Sequence, residues 1–149
     1  MPPHKILARE FTFEIETAVA DTWVEIGGIN SFTPDRSKDD ADTTDFDSGG
    51  WSEHLPANRG LSVTLDGFFL EDDAGVRDAG QARVEAMAQI VGHAGLTGFR
   101  ITSPASAGNN QISGEASFNY GGPGGGNNDA ASWSAEVVFN GQPEIGTAA

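Results

Sequence analysis

Cysteine is absent from the 149 residues. Disulfides, thiolate metal sites and cysteine nucleophiles are thereby excluded. Cations are scarce: eight Lys and Arg stand against 22 Asp and Glu, a formal net charge of −14. Such a chain repels phosphate, which argues against conventional nucleic-acid binding and against docking on anionic membranes. Long apolar runs are missing too. Residues 1–10 hold no apolar stretch of secretory-signal length, and nothing approaches the ~20 apolar residues of a membrane helix. Synthesis in a cytoplasm is the expectation. The three histidines, His4, His54 and His93, are scattered without metal-ligand spacing.

Glycine and aromatic residues are present instead. Twenty Gly point to many turns and bends. A hydrophobic share of 38%, with nine Phe and three Trp, suffices for one core. A single domain over 1–149 is expected, since a second full core would not fit.

Strand signals run along most of the chain. Phe11, Phe13 and Ile15 alternate with Thr12, Glu14 and Glu16, giving one dry face and one wet face. Asp21 and Thr22 make a turn, and 23–26 read as a second strand stopped by Gly27 and Gly28. Residues 29–33 continue it past a bulge. Leu61, Val63 and Leu65 alternate with Ser62, Thr64 and Asp66, the clearest strand pattern here. Further strands are predicted at 96–102, 111–120 and 132–141. The glycine-rich stretch 121–128 joins the last two as a hairpin tip, and 142–149 reads as a flexible tail. Between 76 and 92, Val76, Gly80 or Ala79, Val84, Met87 and Val91 recur at helical spacing, which predicts one amphipathic helix ended by Gly92 or Gly95. Six or seven strands with one helix give an α+β, mainly β class: an antiparallel sandwich or barrel whose helix closes an open edge or end.

Residues 34–57 differ in character. Asp35, Asp39, Asp40, Asp42, Asp45 and Asp47 precede Gly49 and Gly50, with Phe46, Trp51 and Leu55 as the large apolar residues. The stretch reads as a long polar loop or extended arm, and loops of this length are functional or disordered. It has too few apolar residues to fold on itself. Trp51 either anchors a partner or packs in the core of its own subunit.

No motif carries chemistry. The glycine run 121–126 lacks the Gly-Lys-Ser/Thr ending and lies between strands, so it is a hairpin tip and not a phosphate cradle. Asp45, Asp47, Gly49 and Gly50 begin like a calcium loop, but the twelfth position is Pro56, where a bidentate Glu is needed. Glu53 and His54 are adjacent and would point to opposite faces of a strand. No Gly-x-Ser-x-Gly elbow occurs. The reading is non-enzymatic, with no catalytic residue, metal ligand or cofactor.

One segment is more specific. Asp45-Phe46-Asp47-Ser48-Gly49-Gly50-Trp51-Ser52-Glu53 runs through Leu55-Pro56 into Leu61-Ser62-Val63-Thr64-Leu65-Asp66-Gly67. Together with Trp23-Val24-Glu25-Ile26-Gly27-Gly28, it resembles the major tail tube proteins of long-tailed, siphovirus-type bacteriophages. The resemblance spans roughly 8–141 and is densest over 45–69; Pro56-Ala57-Asn58-Arg59-Gly60 replaces the family's usual turn. It implies a structural virion protein. Six copies close a ring through a continuous inner barrel, and rings stack into a tube that conducts DNA without specific binding. The implied partners are further copies and the tape measure, terminator and baseplate proteins; the implied place is the virion tail, after synthesis in the host cytoplasm. Many members carry an extra immunoglobulin-like domain, for which 149 residues leave no room.

On this reading Asp45, Phe46, Gly49, Gly50, Trp51 and Leu55 are the subunit-interface candidates. Glu14, Glu16, Ser62, Thr64 and Asp66, on the wet faces of their strands, are the lumen candidates. The opposite assignment places Ser113, Glu115, Ser117 and Asn119 inside and the first set outside. The rival functions are a tail terminator or decoration protein, a ligand-binding β-barrel, and a small hydrolase.

Overall fold

The structure, a computed structural model, describes residues 5–104 and 110–147; His4 and the last two residues of the tail lie outside them. The elements in chain order are β1 (Thr12–Glu16), β2 (Trp23–Glu25), β3 (Ile29–Asp42), β4 (His54–Phe68), α1 (Ala79–Ala88), β5 (Thr97–Thr102), β6 (Asn110–Tyr120), β7 (Ser132–Phe139) and β8 (Glu144–Thr147). The strands form one antiparallel sheet in the order β2-β1-β5-β6-β7-β4-β3. β8 pairs with β6 at Asn110 to Ser113, beyond the stretch that β7 covers.

The two edges, β2 and β3, are separated in the chain only by residues 26–28. That short link holds both edges together. The Ile26 amide donates to the Phe13 carbonyl at 2.8 Å, and the Phe68 amide donates to the Gly28 carbonyl at 3.0 Å. The sheet is thus rolled on itself. Phe32 of β3 meets Phe11 and Phe13 across the seam, with ring centroids 5.4 and 5.0 Å apart. Alternation decides what goes inside. Phe13, Ile15, Leu61, Val63, Leu65, Phe99, Phe118, Trp133 and Val137 line the interior. Each large apolar side chain fully removed from water contributes roughly 1.5–3 kcal/mol.

The helix lies against β6, β1 and β2. Its side chains Val84 and Met87 enter the core. Asp78 caps it, accepting from the Gln81 amide at 3.2 Å and also from the Gly27 amide at 3.1 Å. Gln81 is fully buried and fully satisfied. Its amide nitrogen donates to the Gly27 and Phe68 carbonyls, and its oxygen accepts from the Leu70 amide. One polar side chain thereby ties the helix to the link between the two edges and to the end of β4.

Gly80 allows the close approach. A Cβ there would stand 2.3 Å from the Glu25 carbonyl oxygen and 2.5 Å from the Ile26 Cα. Both are backbone atoms and cannot rotate away. An alanine gains up to ~1 kcal/mol of helix propensity, but overpacking costs about 1–3 kcal/mol. Gly80→Ala is therefore expected to lower stability by about 1–2 kcal/mol in thermal or urea unfolding; an unchanged or raised midpoint would contradict this packing.

Three expectations need correction. The helix is shorter than 76–92. Asp78 starts it, Gln89 ends it, and Val76 and Val91 are exposed despite fitting the helical period. The segment 29–33 does not continue β2: it crosses to the opposite edge and, with a register shift between Ile29 and Ser31, pairs with β4. The tail is not free throughout, because Glu144–Thr147 adds a strand to β6.

The stretch 34–57 is an arm and not a loop. β3 and β4 stay paired from Ile29↔Gly67 out to Asp42↔His54. Pro34 and Pro56 lie within these strands, and both stand where one edge is free. β3 is the sheet's edge strand, and β7 leaves β4 at Ser62. A proline, which lacks an amide hydrogen, is tolerated in such positions.

Candidate functional site

The arm tip is built by local hydrogen bonding. The Thr43 amide donates to the Glu53 carbonyl at 2.9 Å, and the Thr44 hydroxyl accepts from the Glu53 amide at 2.9 Å. Asp45 accepts from the Asp47 amide at 3.0 Å and opens a short 3-10 turn over Phe46–Ser48. Gly49 and Gly50 then take φ of 64° and 83°, the left-handed region that glycine favours. The Thr44 hydrogen bonds hold the Asp42 carboxyl below the usual carboxylate range.

Phe46, Trp51 and Leu55 all stand at the outer end of the arm, outside the buried core. Phe46 is fully exposed, Trp51 is 79% exposed and Leu55 is 60% exposed. Trp51 therefore does not pack in its own subunit. Asp45, Asp47 and Glu53 surround these apolar groups, and the tip carries no Lys or Arg.

The two faces of the arm differ in charge. Cross-strand partners share a face, so Arg36↔Leu61 and Lys38↔Arg59 lie on the side that continues the core. Asp35↔Ser62 and Asp39↔Asn58 lie on the other side. Lys38 is 3.7 Å from Asp40. Arg36 and Arg59 make no ion pair among the described residues. They line a cleft of about 410 Å³ with Leu61, Pro143 and Ile145. Ile145 is 72% exposed there.

The second surface is the outward side of the sheet. Glu14 is paired with Arg100, and Arg100 with Ser113. Ser62 is paired with Val138, and Val138 with Ser117; Thr64 is paired with Glu136, and Glu136 with Asn119. The lumen candidates and the residues set against them thus share one continuous face across β1, β5, β6, β7 and β4. The expectation that one set lies inside and the other outside fails, because neighbours in one row cannot face opposite ways.

That face carries Glu14, Glu16, Glu25, Asp66, Glu115 and Glu136. Arg100 is the single Lys or Arg at the outward strand positions of β1, β2, β5, β6, β7 and residues 62–66. It is held on both sides. Its Nε and one terminal nitrogen donate to the two Glu14 carboxylate oxygens at 3.0 Å each, and its guanidinium lies 4.2 Å over the Trp23 ring.

Arg36, Arg59 and Arg100 were not singled out by sequence reasoning. Only the register reveals them, since nothing in local patterning pairs residue 14 with 100 or 36 with 61. On the helix side, the Tyr120 hydroxyl is pushed up to about 12, first by burial and then by the nearby Glu85 carboxylate. Among the described residues there is no group of three or more His, Asp or Glu side chains placed to hold a metal, and no helix is long and apolar enough to cross a membrane.

No protein-family model matches the chain, and no curated protein matches it by sequence. Solved structures do. The chain is similar to a subunit of the tail of an empty gene transfer agent particle, refined helically with C6 symmetry. The TM-score is 0.67 and the identity 19%, over 97% of this chain and 100% of that one. It is similar to the tail tube subunit of SPP1 with a TM-score of 0.69 and 13% identity, over 97% of this chain and 80% of that one. It is also similar to a chain of the sixfold-symmetrised baseplate of the anti-feeding prophage, with a TM-score of 0.64 and 8% identity over 97% of both. The fold, mostly antiparallel sheet with one helix, is tail-tube-like.

Proposed function

We propose that this chain is the building subunit of a virion tail tube, with six copies closing a ring and rings stacking head to tail into a conduit for DNA. The observation that carries the reading is the arm: a tail-tube-like fold that projects Phe46, Trp51 and Leu55 into solvent with nothing of its own to cover them. Large apolar side chains left this exposed near one another in the chain point to an interface, and aromatic residues dominate interface hot spots. Asp45, Gly49 and Gly50 shape the turn that presents them. The role is structural and not catalytic. The partners are further copies and, at the tube ends, the terminator, tape measure and baseplate proteins.

The polar face of β1, β5, β6, β7 and β4 forms the channel wall in this reading. Phosphate is repelled by its acids and finds no free cation, because Glu14 and Trp23 hold Arg100. A basic wall would trap DNA by counterion release. Glu14→Gln removes the bidentate acceptor. The two side chains are about a quarter exposed, and a charge-assisted pair of this kind is worth on the order of 1–2 kcal/mol of stability, a minor part of the ~5–15 kcal/mol that holds a domain together, so tubes still form. Assembled Glu14→Gln tubes are expected to retain short duplex DNA at low salt and release it as salt rises, while wild-type tubes retain none. Equal retention by both would remove Arg100 from the account of the wall.

Electron microscopy with symmetry analysis of the purified protein tests the reading. Stacked sixfold rings are expected. A particle that stops at one ring fits a terminator, and a monomer at high concentration sinks the proposal.

A further inference from the structure

The cleft at the base of the arm has chemistry opposite to that of the tip. Arg36 and Arg59 flank it, Leu61 and Ile145 supply an apolar floor, and no acidic side chain lines it. The floor is the core-side face of the sheet continued past the core: Ile145 pairs with Ile112, and Leu61 with Arg36. The tip bears Asp45, Asp47, Phe46 and Trp51 and no cation. We infer that the arm tip of one copy seats in the cleft between arm base and β8 of the next, aromatic side chains on Leu61 and Ile145, carboxylates against Arg36 and Arg59.

The occupant is a second copy on geometric grounds. Pairing between β3 and β4 is continuous from the cleft to Asp42↔His54. Six residue steps along the strand, from His54 to Gly60, span roughly 20 Å, and a paired ribbon cannot double back over that distance. Knob and hole are different patches on one subunit. Such a contact is heterologous: each copy gives one tip and receives one, and repetition builds a series and not a closed pair. Charge complementarity fixes the choice further. The chain as a whole is acidic, and two unpaired guanidiniums beside apolar floor are the place where an acidic, aromatic knob of the same chain is not repelled.

The inference rests on the tube reading, and charge exchange separates the two. One variant carries Arg36→Glu with Arg59→Glu, and the other Asp47→Arg with Glu53→Arg, which leaves the Asp45 cap of the turn in place. All four positions are exposed, so both variants should unfold at the wild-type temperature. Each alone is expected to lose pelletable tubes by roughly tenfold or more, since like charges then face each other across the contact. An equal mixture is expected to regain them, because every tip again meets a cleft of opposite charge. A chain without cysteine allows a second reading. Gln142 also lines the cleft, and Ser52→Cys at the tip with Gln142→Cys, oxidised after assembly, should give a ladder of covalent multimers. Variants that form tubes alone as the wild type does, or a mixture and a cysteine pair that both fail to link copies, overturn the inference and leave the tube reading standing. Wild-type protein that never assembles removes the tube reading itself, and this contact with it.

Discussion

Trp51→Ala is expected to raise the concentration needed for tube formation by roughly thirtyfold or more, with no change in the unfolding temperature of the dissociated subunit. An aromatic anchor desolvated at an interface costs on the order of 2 kcal/mol or more when truncated, and 1.4 kcal/mol is a factor of about ten. The side chain is 79% exposed in the lone subunit, so its own core loses nothing. Pelleting across a dilution series reads the threshold, and calorimetry on dilute protein reads the fold. A threshold that does not move would remove Trp51 from the contact. A fallen melting temperature would mean that the side chain serves its own subunit after all.

Trp133→Ala is expected to do the reverse. This indole is completely buried between the walls of the rolled sheet, with Tyr120 at a centroid distance of 6.0 Å. Truncating a buried aromatic costs about 3–5 kcal/mol, a large part of the ~5–15 kcal/mol that holds a domain together. Denaturant unfolding of the non-assembling Trp51→Ala background measures it without interference from tubes. The indole nitrogen has no hydrogen-bond partner, so part of the packing gain is offset by an unsatisfied donor. A loss below about 1 kcal/mol would show that the core closes over the gap. On the proposed reading, two tryptophans of one chain divide the work, one holding the subunit and one joining it to the next.

Alternation made most of the sheet legible. Phe13 and Ile15, Leu61 to Leu65, and Trp133 to Phe139 all bury the residues their period assigns to the dry face. The helix was legible in place but not in length. Val76 and Val91 match its period, but Asp78 and Gln89 are where the caps fall. The arm was legible as an unusual segment and not as paired strands. Its aspartates and prolines read as loop, and the features that permit pairing lie elsewhere: an edge position for Pro34 and the departure of β7 at Ser62 for Pro56. β8 is four residues long and contains Gly146, too short and too weak a pattern to read. The candidate surfaces divide the same way. Phe46, Trp51 and Leu55 stood out because a polar stretch surrounds them. The clamp on Arg100 and the cleft of Arg36 and Arg59 depend on register between distant strands, which no local pattern carries.

Pro34 and Pro56 have one more consequence. Strands that leave the body of a sheet present rows of unsatisfied amides and carbonyls, and such rows template indiscriminate strand addition. Over residues 54–61 of β4 and along the outer side of β3, the bare arm would be a nucleus for amyloid-like stacking wherever copies are concentrated. Each edge instead carries one residue that cannot donate, and β3 adds Asp35, Asp39 and Lys38 beside it. Charge and proline are both standard means of blunting an edge. The arm can therefore stay extended and reachable for side-chain docking while its backbone refuses the wrong kind of polymer.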